Sequence, residues 1–234
     1  MKNSYDIINN IRIKKGFAKL ALIDPDTKND LILNNLIQTI NDSDFDGVLV
    51  GGSSVDANGY ENRIKNIKDS LSLPIMLFPG SSSQITKQID TMLYLNLISG
   101  RNPKYLIEEH VSGAMEIYKN NIKVIPTAYI LLDGGSVTSV AKVSKTVPLN
   151  MDDREYVLKH ALAGQYLGNR LIYLDCGSGS TYKIKNSLLK YIHSFIDIPI
   201  MVGGGIIKDS QIDELIDNGA SYIVCGTKFE KSIY

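Results

Sequence analysis

The strongest constraint on this chain is a rhythm. Eight short runs of β-forming residues follow one another, most of them about 20–30 residues apart. They cover 17–23, 45–50, 73–78, 92–98, 124–132, 171–174, 198–202 and 222–225, with one longer gap before 171. Most are continuously apolar rather than alternating, the pattern of strands covered on both faces. Helical patterns stand between them. Residues 28–41 place Leu33, Leu36, Ile37 and Ile40 on one face. Residues 103–119 open on Pro103, 151–167 follow Asn150 as N-cap and end at Gly168, and 186–196 carry Leu188, Leu189, Ile192, Phe195 and Ile196. Residues 3–15 add a helix before the first strand. A doubly wound open sheet is the alternative, but eight units in series favour closure. The expected fold is an α/β TIM (β/α)8 barrel spanning 1–234 as one domain. After the third strand, Pro79-Gly80-Ser81-Ser82-Ser83 leaves few residues before the fourth, so the third helix is expected to be short or missing.

Composition excludes several classes. The 25 basic and 25 acidic residues give zero formal charge and no basic block, so nucleic acid is not expected as a partner. No apolar run is long enough to span a bilayer, and residues 1–15 are polar and mixed in charge, unlike a secretory signal. Cys176 and Cys225 are the only cysteines and have no metal-ligand spacing, which fits a reducing cytoplasm.

In a barrel, chemistry sits at the C-terminal strand ends. Here those ends read Asp24-Pro25-Asp26, Gly51-Gly52-Ser53-Ser54, Pro79-Gly80-Ser81, Ser99-Gly100-Arg101-Asn102, Asp133-Gly134-Gly135-Ser136, Asp175-Cys176-Gly177-Ser178-Gly179-Ser180, Gly203-Gly204-Gly205 and Gly226-Thr227-Lys228. The glycine triplet leads into a helix whose N-cap is expected at Asp209 or Ser210 and whose end is marked by Gly219. Triplet and Gly226-Thr227 follow strands 7 and 8, where barrels often hold a phosphate, and Gly177-Ser178-Gly179 can complete the cup. Plain tight turns are the competing reading. Asp24 is suited to Mg2+, with Ser53 lending a hydroxyl, or else it is a turn residue before Pro25. Asp175 is placed to act as a base or as a plain hydrogen-bond acceptor. Asp26 and Asp133 read as turn acids, Cys176 as a core filler, and His110, His160 and His193 as structural or surface residues within helices.

Together these motifs resemble the geranylgeranylglyceryl phosphate synthase family, with its bacterial heptaprenylglyceryl phosphate relatives. The resemblance rests on Leu22-Ile23-Asp24-Pro25-Asp26, Val50-Gly51-Gly52-Ser53, Phe78-Pro79-Gly80, Leu97-Ile98-Ser99, Ile125-Pro126-Thr127-Ala128-Tyr129-Ile130, Ile172 through Gly179, Val202 through Ile206 and Val224 through Thr227. The sixth-strand segment, with its Gly-Ser-Gly, is closest to the family's second group. The resemblance implies a barrel lacking its third helix. It implies a prenyltransferase that joins sn-glycerol 1-phosphate to a prenyl diphosphate, most readily geranylgeranyl diphosphate, for phospholipid biosynthesis. It also implies Mg2+ on Asp24 and Ser53. Glycerol phosphate would lie on Tyr173, Leu174, Asp175, Cys176, Gly177, Ser178, Gly179, Gly204, Gly205, Gly226 and Thr227. Asp175 would be the general base. It stands where the family has Glu, a reach shorter by one methylene, and Thr227 replaces the Asn of a Gly-Asn pair. Phe78, Tyr94, Leu97, Ile98 and Tyr129 are candidates to line the prenyl groove. Family members form homo-oligomers, and the lipid product implies a peripheral encounter with a membrane. A different phosphate-barrel isomerase or synthase, or a binding module without chemistry, are the competing functions.

Overall fold

Most strands bury both faces, which is why their sequences are continuously apolar rather than alternating. In the computed structural model, which describes residues 2–226 apart from Ser54 and Ala57, eight parallel strands close into a barrel in sequential order. The strands are β1 (Ala18–Ile23), β2 (Gly47–Val50), β3 (Ile75–Leu77), β4 (Thr91–Asn96), β5 (Lys123–Leu131), β6 (Leu171–Asp175), β7 (Ile200–Gly203) and β8 (Tyr222–Cys225). Closure is made by β8 on β1, with Ala18 beside Tyr222 and Ala21 beside Cys225. Inward positions such as Leu20, Leu49, Met76, Leu93 and Met201 fill the barrel. Outward neighbours such as Ala21, Val48, Leu77, Met92 and Val202 pack under the helices.

The helices are α1 (Ser4–Lys15), α2 (Leu33–Asn41), α3 (Tyr60–Ser70), α4 (Glu109–Lys119), α5 (Ser139–Ser144), α6 (Arg154–Tyr166), α7 (Asn186–His193) and α8 (Asp209–Asp217). Helix α1 closes the N-terminal end of the barrel. Asn3 caps it by accepting from Asp6 N–H at 3.0 Å, Ile8 is wholly buried, and the Tyr222 hydroxyl donates to Asn9. Gly47 leaves room for Ile8, since a Cβ there would lie 2.6 Å from Ile8 Cδ1.

The third barrel helix is missing. A 3-10 turn, Ser82–Gln84, stands between β3 and β4, because the Pro-Gly-Ser run cannot start a helix in so short a span. The seam is thin: β3 and β4 pair only at Leu77 and Met92. Gln84, buried in that turn, donates to Gly52 O at 2.8 Å and accepts from Gly80 N–H at 3.1 Å, tying the loops after β2 and β3 together.

Several helix boundaries differ from the sequence reading. Residues 28–41 split into a 3-10 turn, Thr27–Asn29, and α2, because Asp26 accepts from Lys28 N–H and caps the turn. Helix α6 is capped by Asp153 rather than Asn150, whose side chain instead accepts from Asp152 N–H. Helix α8 begins at Asp209, so neither Asp209 nor Ser210 is its N-cap. Gln211 reaches back to accept from Ile207 and Lys208 N–H, each at 2.8 Å. Helix α7 stops at His193, short of 196. Residues 104–108 form a π-helical turn leading into α4, with Pro103 before it. The short α5 carries no long periodic pattern and is marked only by its Thr138 cap. No helix of the described residues is long and apolar enough to cross a membrane.

Candidate active site at the barrel mouth

The glycine loops after β6 and β7 meet backbone to backbone. Gly177 and Gly204 both have φ +83°, and a Cβ on Gly204 would come within 2.6 Å of Gly177 N. Only glycine permits that dihedral together with that approach. The start of α8 lies beyond Ile206–Lys208, and Gln211 accepts from Ile207 and Lys208 N–H, just before the helix.

One cavity at the mouth is bordered by Tyr173, Asp175, Ser178, Gly204, Gly205 and Gly226 on one side, and by Asp24, Gly52 and Ser53 on the other. Strand alternation sorts the sixth-strand residues. Tyr173 and Asp175 face inward, whereas Leu174 and Cys176 face the layer beneath the helices. Leu174 and Cys176 can therefore offer only main-chain atoms to a ligand. Burial pushes the Cys176 thiol well up, in keeping with a core filler. Gly179 sits on the open side of its loop, where a Cβ would meet nothing within 4 Å. Thr227 lies outside the described residues.

Asp175 is 6% exposed. One carboxylate oxygen accepts from the Tyr129 hydroxyl, the other from Gly177 N–H at 2.8 Å. Burial raises its pKa above the usual carboxylate range, and the two hydrogen bonds pull it partly back. Burial also holds Tyr129 and Tyr173 protonated, so both are donors. Their rings form a collar with Phe78. Ring centroids are 5.2 Å apart for Tyr129–Tyr173, 5.6 Å for Phe78–Tyr173 and 6.2 Å for Phe78–Tyr129.

Asp24 lies across the mouth. Its carboxylate accepts from Lys28 Nζ at 2.7 Å and from Asp26 N–H at 3.2 Å. A Cβ on Gly52 would lie 2.8 Å from Asp24 Oδ1, so glycine lets the Ser53 loop close on the carboxylate. Among the described residues no group of three His, Cys, Asp or Glu side chains could enclose a metal. One carboxylate and one hydroxyl on a shared cavity nonetheless fit Mg2+, which takes few protein ligands and completes its shell with water and substrate phosphate.

A second, mainly apolar groove opens beside the first and shares Gly52, Ser53, Phe78, Tyr129 and Val140 with it. It runs out along Leu97, Leu95, Tyr94, Met92 and Ile85, through the place left by the third helix. Of the proposed groove residues, Phe78, Tyr94, Leu97 and Tyr129 line it. Ile98 does not. The chain turns after Asn96, and Ile98 packs against the layer beneath the helices.

The sequence reading missed Ile85, Met92, Leu95, Tyr105, Glu109, Val140 and Val143 as groove residues, and His110, expected to be a structural or surface residue, also lines the groove. Burial lowers the His110 pKa and favours neutral imidazole, and its Nδ1 has no hydrogen-bond partner. Glu109 accepts from Ser82 N–H at 2.6 Å, fastening α4 to the 3-10 turn. No local signal places the α4 side chains at the mouth, because only the missing helix exposes this side of α4. His160, by contrast, is structural, with its Nδ1 2.8 Å from Tyr156 O.

The profile of the PcrB family matches residues 9–233. The chain belongs to the PcrB family. Its relatives within reach include the geranylgeranylglyceryl phosphate synthase of Flavobacterium johnsoniae, 42% identical over 94% of this chain and 91% of that one. The enzyme of the same name from Pyrococcus horikoshii is 35% identical over 94% and 87%. The crystal structure of (S)-3-O-geranylgeranylglyceryl phosphate synthase from Thermoplasma acidophilum, in complex with its substrate sn-glycerol-1-phosphate, superposes with a TM-score of 0.90. It is 31% identical and covers 100% of this chain and 94% of that one. The PcrB fold is thus matched from end to end, not merely over a phosphate-binding half.

Proposed function

We propose that this chain is a prenyltransferase that joins sn-glycerol 1-phosphate to geranylgeranyl diphosphate, releasing diphosphate and forming an ether. The observation that carries the proposal is the junction of two unlike cavities. A polar, glycine-walled cup that holds Asp175 and an apolar groove meet at Phe78 and Tyr129, and the Tyr129 hydroxyl donates to Asp175. The names borne by the relatives supply the substrates.

In this reading the cup amides of the Gly177, Gly204 and Gly226 loops hold the phosphate and fix the glycerol hydroxyl near Asp175. Fixing the nucleophile in place removes much of the entropic part of the barrier. Asp175 accepts the hydroxyl proton as the glycerol oxygen attacks the allylic carbon. The new C–O bond forms as the allylic C–O bond to diphosphate breaks, and the electron pair leaves with diphosphate. The rings of Phe78, Tyr129 and Tyr173, clustered beside Asp175, would offer π-electron density to positive charge developing on the allyl group. Asp24 and Ser53 would hold Mg2+, which when bound neutralises the leaving diphosphate. Lys28 supplies a further positive charge on that rim. The prenyl tail lies along the groove between the 3-10 turn and α4. A cytoplasmic enzyme that meets the membrane peripherally, to hand over its lipid, belongs to the same proposal.

The test is a product assay by mass spectrometry with Mg2+, sn-glycerol 1-phosphate and a ladder of prenyl diphosphates. Geranylgeranylglyceryl phosphate should form, with diphosphate released only when glycerol phosphate is present. Absence of product at every prenyl length would sink the proposal. Chelation of Mg2+ and Asp24→Ala should each abolish turnover while leaving glycerol phosphate affinity within a few fold. Equal loss of both would remove Asp24 from the diphosphate side.

A further inference from the structure

Helix α5 stands between the apolar groove and solvent. Thr138 caps it, accepting from Ala141 N–H at 3.2 Å, and packs against Gly177 of the cup, where a Cβ would lie 2.3 Å from Thr138 Cγ2. Val140, Val143 and Ser144, at i, i+3 and i+4, line the groove. Asn102 donates to Ser144 O at 3.3 Å and the Tyr105 hydroxyl to Val143 O at 3.4 Å, tying the helix to the segment before α4. The chain on either side of α5 bares apolar side chains. Val137 is 72% exposed and Val147 83%. Tyr182, 62% exposed, lies over Gly135, where a Cβ would come within 2.6 Å of its ring. Residues 134–151 hold Lys142 and Lys145, both exposed, and no acid. A bare apolar patch of this kind marks a contact surface more often than a free one.

We infer that this segment docks on an anionic lipid bilayer, with Val137, Val147 and Tyr182 entering the headgroup boundary and Lys142 and Lys145 on the lipid headgroups. The purpose of such docking rests on the prenyltransferase reading; its geometry does not. Charge selects the occupant. Apolar side chains interleaved with lysines and free of acids are the composition of segments that lie on anionic lipid. A tyrosine at the edge suits the boundary between hydrocarbon and water. The exposed apolar face of α4, with Val111 and Met115, is instead flanked by Glu108 and Glu116, which an anionic surface repels. Position adds a second argument. Val143 is 43% exposed and also lines the groove, so the groove opens at the docking edge. A prenyl chain drawn from the bilayer, or a product returned to it, would pass beside α5 without crossing water.

The experiment is flotation of the full chain with vesicles and no substrate, comparing phosphatidylcholine alone with phosphatidylcholine mixed with phosphatidylglycerol. The original protein should float only with the mixed vesicles, and binding should weaken as salt rises. Lys142→Glu with Lys145→Glu should weaken binding about 25-fold or more, on the order of fivefold for each lysine lost. Val137→Ser with Val147→Ser should weaken it about tenfold. These positions are exposed, so thermal unfolding should stay close to that of the original. Lys68→Glu with Lys190→Glu, exposed on α3 and α7, makes the same change in net charge and should leave binding within about twofold. Turnover of geranylgeranyl diphosphate dispersed in detergent, measured in parallel, should be the same in all variants. An inactive original protein that still floats would sink the prenyltransferase reading and leave the docking face standing. An active one that does not float would overturn the docking alone. Equal loss in the control pair would also overturn it, since net charge alone would then govern binding. So would a fall in mass of the valine variant in sedimentation without vesicles, which would give this face to a second copy.

Discussion

The two halves of the mouth are built on opposite principles. The cup after β6, β7 and β8 is made largely of backbone, and at its tightest point no side chain fits: Gly204 has φ +83° and Gly177 N lies where its Cβ would go. The groove after β3, β4 and β5 is made of side chains from separate segments, among them Phe78, Ile85, Tyr94, Tyr105 and His110. A phosphate is the same in every substrate molecule and can be met by a rigid frame of amides. A flexible hydrocarbon needs volume and apolar contact, which many side-chain sets supply. Damage to the cup should therefore be steep and specific, and damage to the groove shallow and graded.

Asp175, in the cup and hydrogen-bonded to Tyr129 of the shared wall, tests that contrast most strongly. Asp175→Asn keeps the shape but removes the proton acceptor, so kcat should fall about 10²–10⁴-fold. Glycerol phosphate affinity, measured by calorimetry, should stay within a few fold. Turnover surviving within tenfold would show that another group takes the proton.

Gly204→Ala comes next. The strain of a non-glycine residue at that dihedral and the collision with Gly177 should weaken sn-glycerol 1-phosphate binding about 10–100-fold. The KM for prenyl diphosphate should change much less. If calorimetry finds the original Kd, the phosphate lies elsewhere in the mouth.

Phe78→Ala should do the reverse, raising the prenyl diphosphate KM about tenfold through lost apolar contact while glycerol phosphate affinity holds. Parallel loss of both affinities would mean that the collar supports the cup as much as the groove.

The smallest effect concerns pH. Burial raises the Asp175 pKa, so the acid limb of kcat should lie above the range of an exposed carboxylate, with activity lost as pH falls through it. The Tyr129 hydroxyl stabilises the charged carboxylate. Tyr129→Phe should therefore move that limb upward, by about one unit or less. A downward shift would contradict the hydrogen bond's role.

The cup was legible in the sequence because its signals are local. Glycines at the ends of strands 7 and 8, and Gly-Ser-Gly after strand 6, need only strand order to be placed together. The missing third helix was also legible, from the short Pro-Gly-Ser span after Phe78. The groove was only half legible. Phe78, Tyr94, Leu97 and Tyr129 lie at or near strand ends, but Ile98 turns away once β4 stops at Asn96. The inward and outward sorting of Tyr173 and Asp175 against Leu174 and Cys176 follows from pleat alternation, yet it needed the phase of β6 in the barrel.

By itself the sequence determined the strands, their order, the bare-backbone turns and an acid at three of the rims. Those follow from local periodicity and from the dihedral freedom of glycine. Only the tertiary structure decided what each acid touches. Tyr129 and Asp175 stand 46 residues apart and meet because β5 and β6 are neighbours with both side chains turned inward. Likewise, no local pattern says that α4 turns Glu109 and His110 toward a groove and leaves Val111 and Met115 bare. That follows from a helix absent elsewhere in the chain, whose missing packing surface is felt only once the barrel has closed.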